Sequence, residues 1–319
     1  MALVTTHKRG WAIALFAVGL VALSFVPSFS ELPFYLDQAL QRALLFALVA
    51  ALVAALGGAR ALAPRREGLR SALRLGSYPL VVALVLLALE GAGIASLVAE
   101  GGMGALSPTW AADLAGVAVL CACVGLYEEA LFRVLLLGGL LSRHGRTTNG
   151  VVVSSLVSSL VFGAVHVATS AAGSLDPITL AQMLLKTVQA GSLGMLLAAV
   201  YVRTRSFWGV AAIHALADLL VMTPLALMGG GEEVLGSYVS PALAEGAELI
   251  VVLAAVLLLV VYVVAVALYL PAALKGWRLL EGADVPQLGP FEQGWEPRED
   301  RPADRGDGRP VPPSGLSRP

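Results

Sequence analysis

Four side chains that could move a proton or hold a cation stand in stretches otherwise too apolar for them: Glu128, His166, His214 and Asp218. A carboxylate with imidazoles supplies general acid–base chemistry, and two histidines with an acid are equally a ligand set for a divalent cation. The spacing sorts them. Glu129 and Arg133 are four apart with the acid first, the favourable order for an ion pair on one helix face, so these two have a structural part. Glu128 points about 100° away from that face and stays free to handle a proton. His214 and Asp218 are four apart and share a face, and Phe162 and His166 repeat the spacing, setting an apolar wall beside an imidazole.

The elements that must position these residues are membrane spans. The chain has 319 residues, 58% hydrophobic and only 13% charged, where soluble domains carry about 25% charge. A net charge of -1 leaves no basic footprint for nucleic acid. Two cysteines, Cys121 and Cys123, lie in one apolar run, too few and too close for a disulfide framework or a thiolate metal site. Spanning helices need about 20 apolar residues, and eight runs qualify: 11–29, 39–62, 78–99, 110 to about 133, 150–172, 179–202, 206–228 and 249–270. The expected fold is therefore all-α, a polytopic membrane protein of about eight transmembrane helices around an intramembrane active-site cavity. The first run follows Lys8 and Arg9 and reads as an uncleaved anchor rather than a secretory signal, because it is long and no A-x-A site follows.

Lys and Arg mark the cytoplasmic loops. They cluster at Lys8 and Arg9, at Arg60 to Arg74, at Arg143 and Arg146, at Arg203 and Arg205, and at Lys275 and Arg278. The alternate loops carry Glu31, Asp37, Glu100, Asp176, Glu232, Glu233, Glu245 and Glu248 instead. Both termini are thus expected in the cytoplasm of a multi-pass protein of the cell membrane. The organisation reads as three N-terminal spans (1–109), a core of spans four to seven (110–228), the eighth span (229–273) and a tail (274–319). From Glu281 onward eight prolines, eight acids and five arginines leave little to form a core, so the tail is expected to be disordered.

An ionisable group at mid-bilayer costs roughly 2.5–3.5 kcal/mol and needs a partner, water or a task. Arg42 and Lys186 can snorkel to the outer interface. Glu90, deep in the third run, suits a cavity lining and a buried hydrogen bond equally. The depths of His214 and His166 agree only if helices four and five project past the cytoplasmic side, with Arg133 at the boundary, or if 138–150 breaks and lies flat. Projection is the expectation, with the cavity open to the cytoplasm.

Three constellations in order, Glu128-Glu129-x-x-x-Arg133, Phe162-x-x-x-His166 and His214-x-x-x-Asp218, resemble the CPBP (CAAX-processing and bacteriocin-processing, or Abi) family of intramembrane proteases, which includes the type II CAAX prenyl endopeptidases. The resemblance covers about 110–225 and takes in Gly191-x-x-Gly194 and Ser206-Phe207-Trp208. Val134 stands where a glycine commonly follows the arginine, and Asp218 where asparagine is commonest. The resemblance implies an endopeptidase acting on a membrane-bound peptide or protein. Glu128 and His166 would hold and activate water, while His214 and Asp218 would face the oxyanion or bind a metal.

Two versions stay open. In one, His166, His214 and Asp218 hold a divalent metal such as zinc with an open position for water. In the other, Glu128 is a metal-free base and His214 donates to the oxyanion, a role that an ionised Asp218 opposes. A non-proteolytic scaffold or immunity-type protein of the same fold competes with both, and a proton-coupled transporter less so, since no inverted repeat is visible.

Overall fold

In a bilayer every backbone N–H and C=O must find a partner within the protein, so apolar runs of this length fold as helices. A computed structural model of the protein describes residues 8–64, 66, 68–167, 176–229 and 249–296, among which there is no strand. Helix α1 spans Lys8–Ala22, α2 Phe34–Ala55, α3 Leu69–Leu75, α4 Ser77–Gly101 and α5 Trp110–Glu129. From α5 the helix runs on through a π-helical segment, Ala130–Leu137, into α6, Gly138–His144. Then follow α7 (Thr148–Val165), α8 (Pro177–Thr204), α9 (Phe207–Met228) and α10 (Leu249–Glu281).

Seven helices among the described residues are long and apolar enough to cross a membrane: Phe34–Ala55, Ser77–Ala105, Trp110–His144 and α7 to α10. The protein is an all-α polytopic membrane protein, and seven of the eight expected runs form helices of spanning length among the described residues. The first run forms an α-helix of 15 residues, about 22 Å long against a hydrocarbon core of about 30 Å. Instead of standing apart, α1 enters the interior. Phe16 lies edge-on to Phe132 at 5.3 Å between ring centroids, and the Tyr127 hydroxyl donates to the Gly19 carbonyl at 3.0 Å.

The helix Trp110–His144 has 35 residues, about 52 Å, so roughly 20 Å of it must stand clear of the hydrocarbon. The chain breaks only briefly within 138–150, at the three residues 145–147 between this helix and α7. Arg133 is fully buried within the bundle. The whole segment Ala130–Leu137 is buried, and with Leu193–Val202 of α8 it forms the centre of the bundle.

Each later site-bearing helix starts from a side-chain cap, which meets N–H groups that have no partner in the first turn. Thr147 Oγ1 accepts from Gly150 N–H at 3.1 Å before α7. Asp176 Oδ1 accepts from Ile178 and Thr179 N–H at 2.9 and 3.1 Å before α8, with Pro177 in the first turn. Ser206 Oγ accepts from Gly209 N–H at 3.2 Å before α9. Arg205 closes α8 in the left-handed region at φ 52°, so α8 turns into α9 across two residues. Close approach of backbones sets the depth of the side chains. A Cβ at Gly125 would meet the Ala211 carbonyl at 2.7 Å, and one at Gly163 the Thr187 carbonyl at 2.3 Å. Glycine therefore lets α5 lie against α9 and α7 against α8.

The tail differs from expectation. Helix α10 continues to Glu281, and residues 282–296 fold back on the bundle as a strap with Ala283, Gln287, Phe291 and Trp295 buried. Phe291 packs on Gly58 and Pro290 on Gly138. Gln287 N–H donates to the Gly145 carbonyl at 2.7 Å, Arg205 Nη1 to the Glu296 carbonyl at 2.8 Å, and Arg203 to the Gly282 carbonyl. Composition missed this because two aromatic side chains are enough to seat a short strap. Residues 297–319, the side chains of Lys8 and Arg9, and Glu232, Glu233, Glu245 and Glu248 lie outside the described residues.

Candidate active site

The site begins where α5 passes into the π segment. Glu129 and Arg133 are both fully buried, and Arg133 Nε–H donates to Glu129 Oε2 at 2.8 Å. The other carboxylate oxygen, Oε1, lies 2.9 Å from His214 Nδ1 on α9. A carboxylate at this distance accepts, so Nδ1 carries a proton and Glu129 fixes the ring. Arg133, Glu129 and His214 are thus one buried chain of charge joining two helices. The Arg133 guanidinium also stands over the Phe162 ring, 5.0 Å from its centroid. Sequence spacing exposes the Glu129–Arg133 pair and misses the contact to His214, 85 residues away.

Glu128, one residue back, faces a different space. Its Oε2 lies 3.6 Å from His166 Nε2 and 3.8 Å from His214 Nε2, and it has no hydrogen-bond partner of its own. His166 caps the end of α7, with Nδ1 2.7 Å from the Phe162 carbonyl. A carbonyl only accepts, so Nδ1 is the protonated nitrogen and the Nε2 of a neutral ring turns a lone pair toward Glu128. Two acceptors facing each other across 3.6 Å leave a place for a donor of two hydrogens lying off the line between them.

Phe162 is buried among these groups, 4.4 Å from the His166 ring and 5.8 Å from the His214 ring, and Phe132 backs it edge-on at 5.0 Å. Asp218 Oδ2 lies 3.3 Å from His214 Nε2 and is one-third exposed. The seven residues singled out in sequence, Glu128, Glu129, Arg133, Phe162, His166, His214 and Asp218, therefore meet in one place.

Among the described residues no group of three or more His, Cys, Asp or Glu is placed to hold a metal ion. Three further expectations change. Glu90 is exposed on α4 and neither lines the cavity nor enters a buried hydrogen bond. Arg42 does not snorkel freely, since its Nη1 is buried and its charge acts on Tyr127. Lys186 is half-buried, and its ammonium donates to Gln189 Oε1 at 3.3 Å.

Residues 109–220 match the family described as Type II CAAX prenyl endopeptidase Rce1-like. The match covers about a third of the chain, and this segment is similar to that family. It opens just before α5 and closes two residues after Asp218, so every site residue lies inside it, and it supports a protease fold set in a bilayer. No curated protein and no solved structure matches the chain.

Proposed function

We propose that the protein is an intramembrane endopeptidase that hydrolyses a peptide bond of a membrane-associated protein or peptide with a water activated by Glu128. One observation carries this reading: the Glu128 oxygen without a partner, set between two imidazole Nε2 atoms at 3.6 and 3.8 Å. A water held there donates one hydrogen to Glu128 and the other to His166 Nε2. Glu128 takes a proton as the water oxygen attacks the carbonyl carbon, His214 Nε2–H donates to the carbonyl oxygen as it gains charge, and Glu128 returns the proton to the departing amine as the C–N bond breaks. Glu129 and Arg133 hold His214 in place and do not touch the substrate.

The proposed chemistry needs no metal. The substrate arrives from the lipid, and the Arg-bearing loops face the cytoplasm of the cell membrane.

The test is cleavage of a peptide library by purified protein beside Glu128→Gln, each with and without a chelator. The variant should lose about 10²- to 10⁴-fold in rate, the usual range for a general base, and the chelator should leave the wild-type rate unchanged. Equal turnover by Glu128→Gln removes the proposed base, and no cleavage by either protein favours a non-proteolytic scaffold. Loss on chelation returns the metal version.

A further inference from the structure

The segment between α2 and α4 carries a concentrated positive charge. Residues 56–76 hold five arginines, Arg60, Arg65, Arg66, Arg70 and Arg74, against one acid, Glu67. Arg60, Arg66, Arg70 and Arg74 are exposed, and among the described residues none of the four forms an ion pair. Arg70 and Arg74 lie one turn apart on α3, whose Ser71 and Ala72 are buried, and Arg66 stands in the turn just before, its carbonyl accepting from Leu69 N–H at 3.2 Å. Like charges four apart on a helix repel, and an anion shared between them relieves the repulsion.

Placement selects the partner. Ala55 ends one spanning helix and Ser77, three residues after Arg74, begins the next, so the segment emerges at the headgroup layer. Arginine-rich segments face the cytoplasmic leaflet, which is the negatively charged one. The planar fork of arginine meets a phosphate with two hydrogen bonds at once. The end of the chain is no substitute, since residues 297–319 hold four acids against five arginines.

The same segment is fastened to the helix that bears His214. Trp208 Nε1–H donates to the Leu62 carbonyl at 3.1 Å. Gly209 lies against Ala72 and Gly76 against Ile213, with no room for a Cβ at either glycine. Ile213 directly precedes His214 in α9, so whatever steadies α3 steadies the turn that carries the ring.

We infer that Arg66, Arg70 and Arg74 form a binding surface for the phosphate headgroups of anionic lipids, and that lipid seated there holds the first turns of α9 in place for His214. The binding half stands on charge and placement alone, and the catalytic half rests on the proposed hydrolysis.

The test sets the purified full chain beside a triple variant, Arg66→Gln with Arg70→Gln and Arg74→Gln, and beside the charge-keeping triple Arg66→Lys, Arg70→Lys and Arg74→Lys. Thermal midpoints are read in neutral detergent with phosphatidylglycerol, phosphatidylcholine, inorganic phosphate or a polyglutamate peptide added. Phosphatidylglycerol should raise the wild-type midpoint more than phosphatidylcholine does, as a ligand of the folded state must, and high salt should remove the difference. The concentration giving half the shift should rise at least about fivefold in the glutamine triple, the loss for one arginine at a charged surface, and stay near wild type in the lysine triple. A phosphatidylglycerol shift no larger than that of phosphatidylcholine, or an unaltered one in the glutamine triple, overturns the inference. An equal shift with inorganic phosphate or polyglutamate also overturns it, in favour of a soluble anion or an acidic protein partner. In nanodiscs, wild-type cleavage of a peptide should run about fivefold faster with phosphatidylglycerol than with phosphatidylcholine, at the low end of coupling between two sites, and the glutamine triple should show no such gain. Equal wild-type rates in the two lipids overturn the catalytic half. If the wild type cleaves nothing in either lipid the hydrolytic reading fails, while the midpoints still decide the binding. Should the glutamine triple not fold, the three single glutamine substitutions decide: weaker lipid titrations support the surface, and three wild-type titrations overturn it.

Discussion

Arg133 holds a full charge where no water reaches, and among the described residues Glu129 is its one ionic partner within 4 Å. Removing one member of such a pair strands the other charge, which costs about 3–5 kcal/mol. Arg133→Leu should therefore lower the unfolding midpoint by many degrees in a detergent melt. Arg133→Lys should recover only part, since an ammonium lacks the planar face that lies over Phe162. A midpoint within one degree of wild type for Arg133→Leu would contradict the buried chain. At this scale the helical pair could be read from spacing, because four residues bring two side chains onto one face. The bond from Glu129 to His214 could not, because nothing along one helix tells which neighbour it will meet.

The depth of His166 depends on Gly163. A methyl group at that position would lie 2.3 Å from the Thr187 carbonyl, a contact that only separation of α7 from α8 relieves. Gly163→Ala should cost about 1–3 kcal/mol, the usual range for overpacking, and should depress cleavage more than its loss of stability explains, because His166 moves with the helix end. Comparing cleavage per folded molecule with the thermal midpoint checks this, and unchanged activity would show that the contact does not position the ring. The spans themselves were legible in hydropathy, since about 20 apolar residues have few alternatives. Their ends were not. The fifth run reads to 172 by composition, yet the helix stops at Val165 and His166 is its cap. The π segment was equally hidden, as an i to i−5 bond such as Gly138 N–H to Arg133 O leaves no mark on hydropathy.

The strap 282–296 joins parts of the molecule that are far apart in sequence. It touches the loop after α2 through Phe291, α6 through Pro290, the turn after α6 through Gln287 and the α8–α9 turn through Glu296. Ending the chain after Glu296 should leave the thermal midpoint unchanged. Ending it after Glu281 removes buried Phe291 and Trp295, each worth about 3–5 kcal/mol as a truncation to alanine, and should lower the midpoint sharply. Equal midpoints for the two truncations would show that the strap is not part of the stable fold. Composition concealed it, since proline, glycine and acid dominate any average taken over that stretch. The strap also acts as a one-ended collar: it grips the shafts where α6 ends and α9 begins, so those two ends of the bundle part only after it has been peeled away.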